Sequence, residues 1–324
     1  MRAIGSIARA EAGRGAALAE RARAVLDLRY VALITTLGTY ALIVLGGTVR
    51  VTGSGLACPD WPLCHGQLIP PLQEKVLIEY AHRLVASVVG ILLLATFAAA
   101  WLGRRGNPVA FWSTLGAGVV LALQIGLGGI TVLSDNSAES VATHLSVALS
   151  LLALLIFVTV VAFRPLRAAS LTQPHDAFTL TAIAAALVLF ALILTGSFVA
   201  NTGASLAYRD WPLFNGSVLA NGTRLGELHY AHRLLAAFSG LLVLVVIAGA
   251  WRKPRQSRVV LGAVFCATIL YIAQVFLGAG NIWFDLAQSV RVAHLAVASA
   301  TWALLVFAAV WSYFDHAAIS EGKA

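Results

Sequence analysis

GGTVRVTGSGLACPDWPLCHG, residues 46–66, returns 150 residues later as GSFVANTGASLAYRDWPLFNG, residues 196–216. The same offset carries EYAHRLVA (79–86) onto HYAHRLLA (229–236), QIGLGG (124–129) onto QVFLGA (274–279), and VATHLSVA (141–148) onto RVAHLAVA (291–298). Four matches at one spacing make the chain two fused halves of one design.

Composition says what that design is. Of 324 residues, 60% are hydrophobic and 11% charged, with a mean hydropathy of +0.86; a soluble domain carries roughly 25% charged residues. A membrane span needs about 20 mostly apolar residues. Eight such stretches can be drawn, near 31–50, 77–101, 109–133, 139–163, 178–200, 228–251, 259–282 and 289–313. The expected fold is an all-α polytopic membrane protein, its eight transmembrane helices forming two pseudo-symmetric four-helix bundles. Four spans per half make the repeats parallel, about an axis along the membrane normal, rather than inverted as in many secondary transporters.

Basic residues set the orientation. They crowd the amino-terminal arm (Arg2, Arg9, Arg14, Arg21, Arg23, Arg29) and every second connection: Arg104 and Arg105, Arg164 and Arg167, then Arg252, Lys253, Arg255 and Arg258. Both termini are therefore expected on the cytoplasmic side of a plasma membrane. The division expected is a cytoplasmic arm over 1–29, a first half over 30–164 with an outer loop at 51–76, a linker over 165–177, a second half over 178–314 and a tail over 315–324. The arm lacks the apolar core of a signal peptide. The formal charge of +8 sits at span ends without interleaved aromatics, which excludes nucleic acid as a partner.

Ionisable groups inside a membrane are costly and mark function. His82, His144, His232 and His294 lie on spans 2, 4, 6 and 8, each about five residues from the outer end, or roughly 8 Å down at 1.5 Å per residue. Each half thus offers two imidazoles at one depth on helices running the same way, where bundles place cofactors. One membrane histidine is more often a packing residue than a ligand, but equivalent pairs in both halves favour ligation, and a bis-histidine haem suits them. Zinc or copper would want a third or fourth donor, and near His232 and His294 only His229 is added. Arg83 and Arg233 follow the first histidine of each pair, as haem propionate contacts or as interfacial anchors. Arg291 is a weaker propionate candidate, because its counterpart is Val141.

Chemistry peculiar to one half should appear where the repeats disagree. Glu79 pairs with His229, Cys58 with Tyr208 and Cys64 with Phe214. Glu79 and His82, at i and i+3, share a helix face, so the acid could relay protons or stabilise positive charge on a substrate carbon; the alternative is a solvated acid at the end of the span. Cys58 and Cys64 lie in the outer loop, where a disulfide is permitted, either as a staple or as a redox thiol pair. Their spacing is not the C-x-x-C-H of covalent haem attachment. Cys266 is expected as a small core residue, Asp60 and Asp210 as loop-folding residues, and the neighbouring tryptophans as interface anchors.

On these motifs, in this order and duplicated, the chain resembles the haem A synthase family over nearly its whole length after the arm. The resemblance implies oxidation of the C8 methyl of haem O to the formyl group of haem A, through an alcohol, for terminal oxidase biogenesis. It implies that His82 and His144 address the substrate haem, that His232 and His294 ligate a resident haem b, that Glu79 is the essential acid and that Cys58 and Cys64 are the loop pair of many members. Tyr208 and Phe214 stand where some members carry a second cysteine pair, so a mechanism needing two pairs does not apply. The partners implied are haem O, a haem O synthase that supplies it, terminal oxidase assembly and the lipid bilayer. The electron acceptor and the oligomeric state, a homo-oligomer included, stay open. Two other readings keep the same histidines. A di-haem b electron-transfer protein would use all four alike and leaves the one-sided Glu79 and cysteines without a reason, while a haem transporter would release haem O unchanged.

Overall fold

A computed structural model describes residues 27–164, 176–220, 222–253 and 256–321, with side chains as far as 315. Most of the expected arm and linker lies outside the described residues. Among the described residues eight long helices are present: α1 Leu28–Val51, α2 Glu74–Gly103, α3 Pro108–Leu133, α4 Ala138–Phe163, α5 Ala177–Asn201, α6 Arg224–Arg252, α7 Arg258–Trp283 and α8 Gln288–Glu321. All eight are long and apolar enough to cross a membrane; at 1.5 Å per residue even the shortest spans roughly 36 Å. The protein is a multi-pass membrane protein.

Six of the eight helices begin where a side chain takes a free amide. Asp27 accepts from the Arg29 N–H, Asn107 from Ala110, Ser137 from Ser140, Asp176 from Thr179, Thr223 from Gly226 and Ser257 from Val260. α2 and α6 start three and four residues before the expected spans, and α8 runs on to Glu321, through most of what was expected as a tail. Cys266 departs from expectation, since it is exposed on α7. Lipid is as apolar as a core, so a small thiol need not be buried.

Within the first half α1 packs on α2 and α4, and α3 on α2 and α4, closing a ring; α5 to α8 repeat it. The rings meet where α4 packs on α5 and α8, and α8 packs on α1. The main buried cluster joins Leu149, Leu152 and Ile156 of α4 to Leu189, Leu192 and Ile193 of α5 and Leu305 of α8. Polar side chains stitch the helices, as expected in lipid: Thr36 Oγ1 meets Thr159 Oγ1 at 2.8 Å, Tyr40 donates to the Ala296 carbonyl at 3.0 Å, and the Trp302 indole donates to the Ala186 carbonyl at 3.0 Å.

The long loops after α1 and α5 share one conformation and define the loop end of the molecule. The Trp61–Pro62 and Trp211–Pro212 bonds are cis, and His65 and Asn215 have φ of 55° and 56°. Asp60 accepts from the His65 and Gly66 amides at 2.6 and 2.7 Å, and Asp210 accepts from Asn215 and Gly216 at 2.6 and 2.7 Å. Those amide bonds hold both carboxyls below the ordinary aspartate range, Gly66 and Gly216 contributing most.

Candidate functional site

The four spans expected to carry the histidines are α2, α4, α6 and α8, and each imidazole lies against a glycine of the preceding helix. A methyl placed on Gly46 would stand 3.1 Å from His82 Cε1; the figures are 3.3 Å for Gly128 and His144, 3.0 Å for Gly196 and His232, and 3.3 Å for Gly278 and His294. Only a missing side chain lets ring and backbone approach this closely.

The ring nitrogens are poorly satisfied. Nδ1 of His82, of His144 and of His294 is buried with no hydrogen-bond partner among the described residues, an arrangement that costs free energy unless something else engages the ring. Thr195 Oγ1 lies 3.1 Å from His232 Nδ1, and Gln124 Nε2 lies 3.3 Å from His144 Nε2. Among the described residues no group of three or more His, Cys, Asp or Glu gathers as it would around a tetrahedral ion. Two half-buried imidazoles over a glycine cradle in each half fit a flat group that takes two axial ligands.

Toward the loop end, the three positions at which the halves disagree turn out to touch one another. Cys58 and Cys64 are joined as a disulfide. The Cys58 N–H donates to Glu79 Oε2 at 2.8 Å, and Arg83 Nη2 donates to Glu79 Oε1 at 2.6 Å. Glu79 is 3% exposed, which overturns the solvated-acid alternative. Arg83 also donates to the Cys58 carbonyl at 3.1 Å, the Asp60 carbonyl at 2.8 Å and the Leu63 carbonyl. Its fork clamps the loop onto α2.

In the second half Arg233 clamps the loop through the carbonyls of Leu213 and Asp210 at 2.8 and 3.1 Å, and its Nε donates to His229 Nε2 at 3.0 Å. Tyr208 stacks near Phe214 and His229, with centroids 5.1 and 5.7 Å away. An aromatic wedge therefore fills the volume that a disulfide and a carboxylate fill in the first half. Arg291 lies in the first turn of α8, the helix that packs on α1 at the seam between the halves, and across that seam Arg50 Nε donates to Asn201 Oδ1 at 2.6 Å.

The profile of the COX15-CtaA family, described as cytochrome oxidase assembly protein, matches residues 29–306. The chain belongs to this family. Among its relatives, one from Geobacillus thermodenitrificans named heme A synthase is 30% identical over 293 residues, covering 87% of this chain and 90% of its own. Heme A synthases from Alkalihalophilus pseudofirmus and Rhizorhabdus wittichii are 26% and 28% identical, each covering 86% of this chain and 95% and 91% of their own. Sequence reasoning about this COX15-CtaA chain missed the four glycines and Thr195. A signal for the glycines existed: Gly46 and Gly128 recur as Gly196 and Gly278, whereas their neighbours Gly47 and Gly129 become Ser197 and Ala279.

Proposed function

We propose that this chain is a haem A synthase of a bacterial plasma membrane. It oxidises the C8 methyl of haem O through an alcohol to the formyl of haem A, with the loop end on the outer face and both termini cytoplasmic. The observation that supports it most is the pair of half-buried imidazoles in each half, set over glycines, with the Nδ1 atoms of His82, His144 and His294 left unpartnered among the described residues. His82 and His144 hold the substrate, and His232 and His294 hold a resident haem b, whose iron supplies one-electron chemistry when bound.

The residues of the first half then have separate tasks. His82 and His144 fix the plane of the substrate. Glu79, one turn toward the loop from His82, is gripped by Arg83 and the Cys58 amide, which fix its carboxylate where positive charge develops on the substrate carbon. The Cys58–Cys64 disulfide staples the loop that supplies that amide. Arg83 positions Glu79 and the loop, and Arg233 positions the matching loop of the second half. Arg291 is a further candidate for a propionate.

The test is product chemistry. Cells supplied with haem O and expressing the chain should yield haem A or its alcohol precursor on pigment extraction and mass analysis. Glu79→Gln should lower product by about 10²–10⁴-fold while the pigment bound by His232 and His294 persists. A folded parent that returns only haem b and unchanged haem O would sink the synthase reading.

A further inference from the structure

One further asymmetry separates the two halves, and it touches a histidine directly. The residue before each α1 or α5 glycine is Leu45 in the first half and Thr195 in the second. Thr195 Oγ1 lies 2.9 Å from the Leu192 carbonyl and 3.1 Å from His232 Nδ1. A hydroxyl has one proton and a carbonyl can only accept. The Thr195 proton therefore goes to Leu192, and Thr195 accepts from His232 Nδ1–H. This bond assigns the tautomer: it leaves the lone pair on Nε2 and fixes the rotation of the ring.

The first half has none of this. Leu45 can neither donate nor accept, and His82 Nδ1 is buried without a partner among the described residues. Both tautomers are open to His82, and only one presents Nε2 to a metal. Across the same bundle the amide of Gln124 engages His144 Nε2 at 3.3 Å, a contact that must be given up before that nitrogen can take iron. Of the four imidazoles, His232 is the one whose Nδ1 is held among the described residues, while His82 and His144 must reorganise to take a ligand.

We propose that Thr195 is the positioning residue that makes His232 a permanent haem ligand, and that Leu45, in its place, leaves His82 able to take and release haem. This rests on the haem reading above and adds to it a physical reason why one site is resident and the other turns over. A hydrogen-bonded imidazole is a stronger donor, and loss of such an outer partner costs about 10–100-fold in metal affinity.

The experiment uses the full chain purified with its haem. Loss of haem to excess apomyoglobin is followed by absorbance, and the midpoint potential of the retained haem is measured alongside. Thr195→Val keeps the shape and removes the hydroxyl; it should speed haem loss about 10–100-fold and raise the potential, because a weaker donor favours the reduced iron. Thr195→Ser should restore both. Leu45→Thr should raise the haem retained per chain and slow turnover. Val behaving as the parent, or Ser failing to rescue a folded protein, overturns the inference and leaves the function standing. A parent that retains no haem, or whose haem is indifferent to His232→Ala, overturns the haem reading and this inference with it.

Discussion

Glu79 and His229 occupy one helical position, and each meets an arginine four residues on, but only Glu79 meets it with charge. The Glu79–Arg83 pair is buried, with 4% and 16% of the side chains exposed. Breaking a buried pair from one side strands the other charge, at about 3–5 kcal/mol. Arg83→Ala should therefore lower stability by that order in thermal unfolding and release the 58–66 loop. Arg233→Ala, which leaves only a neutral imidazole and carbonyls unpaired, should cost less. Equal losses in the two variants would mean that the ion pair adds nothing. The acid, the cysteines and the histidines were all legible in the sequence as single positions. That Glu79, Cys58 and Cys64 form one contacting unit was not, because the contact is made by a loop folding back over α2. For the same reason the sequence left Arg83 as either a propionate contact or an interfacial anchor, and did not show that its donors reach the carbonyls of Cys58, Asp60 and Leu63.

Among the elements, the four glycines set how closely each helix pair can approach. Gly46→Ala and Gly196→Ala gain about 1 kcal/mol of helix propensity, yet each puts a methyl about 3 Å from an imidazole carbon. Both should keep their helix content and lose haem absorbance, with Gly196→Ala depleting the resident pigment. Gly262→Ala, which meets nothing within 4 Å, is the control and should bind as the parent does. Undiminished absorbance in Gly196→Ala would sink the cradle. The hydropathy pattern was enough to place the spans within a few residues, since a bilayer demands length and apolarity. It could not show which glycine faces which ring, since that depends on helix rotation.

The loops carry their own test. Asp60 and Asp210 have folded-state pKa values below the ordinary aspartate value, so their stabilisation is complete above about 3.9 and fades only as pH falls through the lower folded value. Amide exchange at Gly66 and Gly216 should stay protected from pH 7 to about 4 and be lost below. Protection lost near neutrality would show that these carboxylates do not hold the loops.

For the whole molecule, α4 belongs to both halves. Its Leu149, Leu152 and Ile156 sit in the cluster of α5 and α8, and Arg164 at its end pairs with Asp315 of α8. In lipid such close packing and polar pairing, rather than hydrophobicity, hold helices together. A chain opened within 165–175 and expressed as two pieces should co-purify through either tag. A first half that elutes alone would contradict the shared seam.

That seam gives each pair of histidines one anchored member and one outlying member. His144 and His294 ride on α4 and α8, which are braced against each other at the centre; His82 and His232 ride on α2 and α6, which among the described residues pack mainly on their own ring. Each site is thus built like a vice with one fixed jaw. Any widening needed to admit a broad, flat guest falls to the outer jaw, on the side that faces the lipid.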